Sequence, residues 1–102
     1  MYTLEEAKRS VGPGWAKLVE ECWYVCKNSK SPITIMQVKE KFGTLRFYVG
    51  YASEEILDLI NKYEDESAFI CEQCGNKGYT TKLKGWLRTL CDTCIIKELG
   101  YD

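Results

Sequence analysis

The 102-residue chain contains no histidine. That absence removes Ser-His and Cys-His catalysis, imidazole metal ligands, and the side chain that ordinarily titrates near neutrality. Proline is scarce, with only Pro13 and Pro32 to punctuate the chain. No apolar run approaches the roughly 18 residues that a membrane span needs. Charge of one sign is not in excess: 14 Lys and Arg face 15 Asp and Glu, a net −1. No global field therefore draws the protein to nucleic acid or to a membrane. There is no glycine-rich phosphate loop and no strand–helix dinucleotide fingerprint. The start, Met1 to Glu6, carries early acids and no apolar core, so it does not read as a signal peptide.

What is present is globular composition, 45% apolar and 28% charged, at the length of one domain. Thr3 and Glu6 form a capping-box pattern that predicts a helix from Leu4, ending by Gly12-Pro13-Gly14. Trp15, Leu18, Val19, Cys22 and Cys26 recur at three- and four-residue spacings, which predicts a helix from about Trp15 to Lys27. Ile33 to Lys41 and Thr44 to Tyr51 read as a β-hairpin turning near Gly43. Met36, Val38, Leu45, Phe47 and Val49 form the inward set, leaving Gln37, Lys39, Lys41, Arg46 and Tyr48 on the other face. Ile33 and Ile35 have the opposite parity to Met36 and Val38, so a bulge or an edge twist is needed between them. Ser53 then caps a helix with a buried stripe of Ile56, Leu59, Ile60 and Tyr63. Its outer face carries Glu54, Glu55, Asp58, Glu64, Asp65 and Glu66 against Lys62, which reads first as solvated surface and second as a docking face.

The six cysteines divide into four and two. Cys71-Glu72-Gln73-Cys74 and Cys91-Asp92-Thr93-Cys94 are CxxC pairs sixteen residues apart, the spacing of a structural zinc site. A two-residue spacer aims two sulfurs at one ion, and a second pair completes a tetrahedron. Gly75 suits the turn that follows the first pair. Tyr79 to Leu83 and Trp86 to Leu90 predict a hairpin about Lys84-Gly85, and Asp92 is placed to cap a closing helix. Knuckle, hairpin and helix in that order describe a treble-clef-like module holding one structural Zn²⁺ per chain. Two disulfides or a rubredoxin-like iron are the alternatives for the same residues. A full shell of four sulfurs leaves no open position for catalysis. Cys22 and Cys26 share the apolar stripe of the second helix and read as core residues.

Two basic clusters hide within the neutral total. Lys39, Lys41 and Arg46 lie with Tyr48 on one strand face; Lys82, Lys84 and Arg88 lie with Tyr79 and Trp86 on the second hairpin. Cations beside aromatics suit phosphate pairing and base stacking. Solvated strand faces with half-buried aromatics are the plainer account of the same pattern. The segment Lys41 to Tyr48 does not match the RNP1 pattern of an RRM.

Gly14-Trp15-Ala16-Lys17-Leu18-Val19, the string from Gln37 to Tyr48, Cys71 to Gly75 and Gly85 to Cys94 together resemble a group of small uncharacterised bacteriophage and prophage proteins. The resemblance implies a phage setting and action in the bacterial cytoplasm. Small accessory proteins of that kind often counter host defence, sometimes by sequestering a nucleotide signal.

The reading is one α+β domain, 1–102. Residues 1–68 form a helix–hairpin–helix part and 69–102 a zinc-binding module. The expected function is non-enzymatic: binding of a host nucleotide-type signal, with Lys39, Lys41, Arg46, Tyr48, Lys84, Trp86 and Arg88 as candidate ligand residues. A nucleic-acid-binding zinc module and a protein-directed adaptor are the alternatives. A homo-oligomer is expected, because so small a chain needs an interface to close a pocket.

Overall fold

Thr3 starts the first helix with both halves of a capping box. Its hydroxyl accepts from the Glu6 N–H at 3.2 Å, and its own N–H donates to the Glu6 carboxylate at 3.1 Å. The helix, α1, runs Leu4–Arg9 and ends at Ser10, short of the glycines. Pro13–Trp15 form a single 3₁₀ turn, which the proline's fixed φ favours, and α2 follows over Ala16–Lys27. The computed structural model describes residues 1–100; the last two residues of the expected 69–102 segment lie outside the described residues.

The first hairpin pairs β1, Ile35–Lys41, with β2, Thr44–Val49, antiparallel. Its two-residue turn, Phe42-Gly43, has positive φ at both positions, the type I′ geometry that matches strand twist. The conflicting parity of Ile35 and Val38 is resolved by a register shift between Ile35 and Gln37. Met36 is the extra residue and stands 65% exposed, so the expectation that it faces the core is corrected. Ile35, Val38, Leu45 and Phe47 point inward and join Trp15, Leu18, Val19, Cys22, Cys26 and Ile60 in one buried cluster.

A two-stranded sheet has two free edges, and both are covered by side chains. On β1, the Val38 N–H donates to the Tyr2 hydroxyl and its carbonyl accepts from the Ser10 hydroxyl. On β2, the Leu45 N–H donates to the Ser67 hydroxyl and the Phe47 N–H to the Glu64 carboxylate, both at 2.8 Å. Ser67 and Glu64 belong to α3, Glu54–Ser67, which Ser53 caps as the pattern predicts. Glu64 is thus turned to the sheet and is not part of a uniformly solvated acidic face. Leu59 sits at the rim of the stripe, 37% exposed, while Ile60 is buried.

The second hairpin pairs β3, Tyr79–Leu83, with β4, Trp86–Leu90, through a second turn with positive φ at both Lys84 and Gly85. The last helix, α4, spans Asp92–Leu99. Cys91 holds its cap position without a side-chain cap bond, and Asp92, expected as the cap, lies inside the helix. Its carboxylate instead accepts from the Tyr79 hydroxyl at 2.6 Å. The result is the expected α+β architecture: four α-helices and two antiparallel hairpins among the described residues.

The two parts meet backbone to backbone. The Gly14 N–H donates to the Glu72 carbonyl at 2.7 Å, and the Trp15 indole N–H donates to the Ile70 carbonyl at 2.8 Å. A Cβ on Gly14 would stand 2.0 Å from the Cys71 carbonyl oxygen and 2.6 Å from the Gly75 nitrogen. Gly14→Ala should therefore cost about 3 kcal/mol, the scale of overpacking a tight site. Gly85→Ala meets no atom within 4 Å and should cost only left-handed backbone strain, about 1 kcal/mol. Urea unfolding of the two variants checks the difference.

Candidate metal centre and cationic cleft

The first two ligand candidates sit on a knuckle built by backbone bonds. The Gly75 N–H donates to the Cys71 carbonyl at 2.9 Å, and the Cys71 N–H donates to the Asn76 carbonyl at 2.7 Å. Gly75 takes φ +85°, which a side chain would oppose. The second pair occupies the start of α4, Cys91 at the cap and Cys94 one turn on. All four ligand sulfurs lie within 4.8 Å of one another, and the Cys74 and Cys91 sulfurs are 3.6 Å apart. Tetrahedral coordination at a metal–sulfur distance of ~2.3 Å places sulfurs ~3.8 Å apart. A disulfide needs ~2.05 Å, and all six cysteines are free thiols. The donor set therefore fits a metal ion.

Electrostatics agree with that fit. Burial opposes ionisation of Cys71, but backbone N–H groups of Cys74, Cys91 and Gln73 outweigh it and lower the thiol to about 6. Cys94 is pushed up to about 12 by burial and by its three sulfur neighbours. A cation at the centre of the four sulfurs reverses that penalty. On α2, interaction with Cys26 and burial hold the Cys22 thiol protonated, as suits a packing residue.

Glu72, between the first two ligands, ties the knuckle to the second hairpin. Its N–H donates to the Thr89 carbonyl at 2.9 Å, and its carboxylate accepts from the Arg88 guanidinium at 2.9 Å. Arg88 also pairs with Glu98 of α4 at 3.2 Å. The Thr89 hydroxyl reaches the first hairpin, donating to the Gly43 carbonyl at 2.5 Å while sharing a bond with Thr80. The tip of one hairpin is thereby pinned to the flank of the other.

Between them opens a cleft of about 690 Å³, lined by Lys39, Lys41, Phe42, Lys82, Trp86 and Arg88 among others. Phe42 and Trp86 are 66% and 75% exposed. Among the described residues, Lys39, Lys41 and Lys82 take part in no salt bridge. Of the seven sequence-predicted ligand residues, the cleft brings together Lys39, Lys41, Trp86 and Arg88. Arg88 is there as an ion-paired brace. Lys84 lies apart, donating to the Glu98 carbonyl. Arg46 and Tyr48 lie beyond the cleft on the same strand face, opposite Lys39 and Gln37. Phe42 is the cleft-lining aromatic that sequence reasoning did not single out. An aromatic ring at a turn with left-handed backbone, unable to bury itself, was the available signal.

No family model, curated protein or solved structure matches the chain. No helix among the described residues is long and apolar enough to cross a membrane.

Elemental analysis of the purified protein should find one transition-metal ion per chain. Cys71→Ser and Cys94→Ser should each lose it and collapse the dispersed amide spectrum of the 70–100 segment, since ligation contributes folding energy to so small a core.

Proposed function

We propose that the metal is zinc in a closed structural site, and that the protein is a non-enzymatic binder of ligands with nucleotide chemistry. Four thiolates complete the shell zinc prefers and leave no position for a substrate. The chain offers no histidine base, and its remaining two cysteines lie buried in the core.

The observation that carries the binding reading is the cleft. Three lysines without salt-bridge partners stand beside two exposed aromatic rings. Phosphates pair with Lys39, Lys41 and Lys82, and a base stacks on Trp86 or Phe42. Arg88 and Lys84 serve the module's own rigidity. The resemblance to phage proteins supports a host-directed role in the bacterial cytoplasm, with host-derived nucleotide chemistry as the target. Assembly of copies would enclose the cleft further and favour retention of a small ligand.

A thermal-shift panel of mono-, di- and cyclic nucleotides and short oligonucleotides tests this on the zinc-loaded protein. A true ligand at a hundredfold excess over Kd adds about 2.7 kcal/mol. Trp86→Ala should weaken binding at least tenfold while leaving the unliganded Tm within a degree or two, because the ring is exposed. No shift with any member of the panel overturns the reading.

A further inference from the structure

We infer that the ligand is a single strand of nucleic acid, running from the interhairpin cleft along the outer face of the first hairpin. The inference rests on the nucleotide reading of the cleft and names the class of ligand. Four observations carry it.

The cleft is one end of a longer track. Lys41 and Lys39 line it, and they belong to the same face as Arg46 and Tyr48 by strand register. Two residues of strand separate Lys39 from Lys41 by ~7 Å, so the cations of the first hairpin form a row along its face, with Lys82 across the cleft. A row suits an extended polyanion, whereas a compact phosphate is held by converging donors.

Lys39 and Arg46 are directly opposite each other in the antiparallel ladder. Like charges so placed destabilise a sheet unless something offsets them. Glu64 and Asp65 share a shallow depression with Arg46, yet no salt bridge forms to it among the described residues. The Glu64 carboxylate is already engaged by the Phe47 N–H, and the Arg46 Nε is buried with no hydrogen-bond partner. A phosphate backbone lying between Lys39 and Arg46 offsets the repulsion.

Three aromatic rings are distributed along this track: Trp86, Phe42 and, 40% exposed, Tyr48. One mononucleotide uses one ring; successive unstacked bases use all three. A duplex keeps its base faces stacked inside and offers none of them to the rings.

Finally, the chain's net charge of −1 confines attraction to this local row. Lys39, Lys41, Lys82 and Arg46 make four phosphate contacts, for which log K should fall with log salt at a slope of about −3 for a single strand.

The test uses the zinc-loaded full chain and fluorescence anisotropy with labelled 12-mers of dT and U, competed by a mononucleotide, a dinucleotide and a blunt duplex. The expected result is a 12-mer bound at least tenfold tighter than the dinucleotide, and tighter than the duplex, with the stated salt slope. Arg46→Gln and Tyr48→Ala should each weaken the 12-mer about fivefold or more and leave mononucleotide affinity unchanged. Tyr48 is exposed, so its variant folds even if Arg46→Gln does not; metal content checks both. A 12-mer bound no tighter than the mononucleotide, a duplex bound equally well, or no effect of Tyr48→Ala overturns the strand and leaves the cleft reading standing. Binding of neither polymer nor mononucleotide overturns both.

Discussion

The close approach of the Gly12-Pro13-Gly14 backbone to the cysteine knuckle is the constraint on which the rest of the molecule depends. A Cβ on Gly12 would stand 2.2 Å from the Glu72 carbonyl oxygen, and one on Gly14 nearer still to that of Cys71. Only glycine permits backbone to pack directly on backbone at both points. Pro13 between them fixes the 3₁₀ turn that sets Trp15 beneath the junction. The fully buried indole fills the first core and still reaches the Ile70 carbonyl through its N–H. One short segment thus starts α2, anchors the larger core and seats the metal module.

The second joint is polar. The Gly43 carbonyl accepts from the buried Thr89 hydroxyl, and Gly43 itself packs against β4 backbone. Two joints hold the hairpins at a fixed separation, and the cleft is the space that separation leaves. The same economy appears at the sheet edges. A two-stranded sheet is marginal alone. Here its outward N–H groups are spent on Tyr2, Glu64 and Ser67, which also lash α1 and α3 to it. Edge protection and helix docking are one set of bonds.

Features that depend on near neighbours in the chain were legible in the sequence. The Thr3–Glu6 box, the Ser53 cap, both hairpins and the two CxxC pairs are local geometry, and all four are present. The parity conflict between Ile35 and Val38 revealed that a bulge or an edge twist was needed, but not which of the two or which residue would be expelled. Met36 is expelled because Ile33, Ile35 and Val38 are all drawn into the core. What escaped notice was side-chain purpose set by distant partners. Glu64 looked like one acid of a solvated face and is a sheet cap seventeen residues from its donor. Arg88 looked like a free cation and is braced between Glu72 and Glu98. Composition places these charges on the surface; only the fold decides which are already satisfied.

That distinction sharpens the relation between metal and cleft. Cys71 and Cys74 are placed to hold a metal ion, and Glu72 between them holds Arg88 and the Thr89 backbone. Thr89 in turn holds Gly43 at the tip of the first hairpin. The path from the ligand sulfurs to the cleft wall therefore runs through two residues, each with bonds in both directions. Short hydrogen-bonded chains of this kind couple the positions of the groups at their two ends. A metal held at the knuckle would brace Arg88 and Thr89, and through them the wall of the cleft. The four-cysteine site is thereby joined through hydrogen bonds to the surface that lines the cleft.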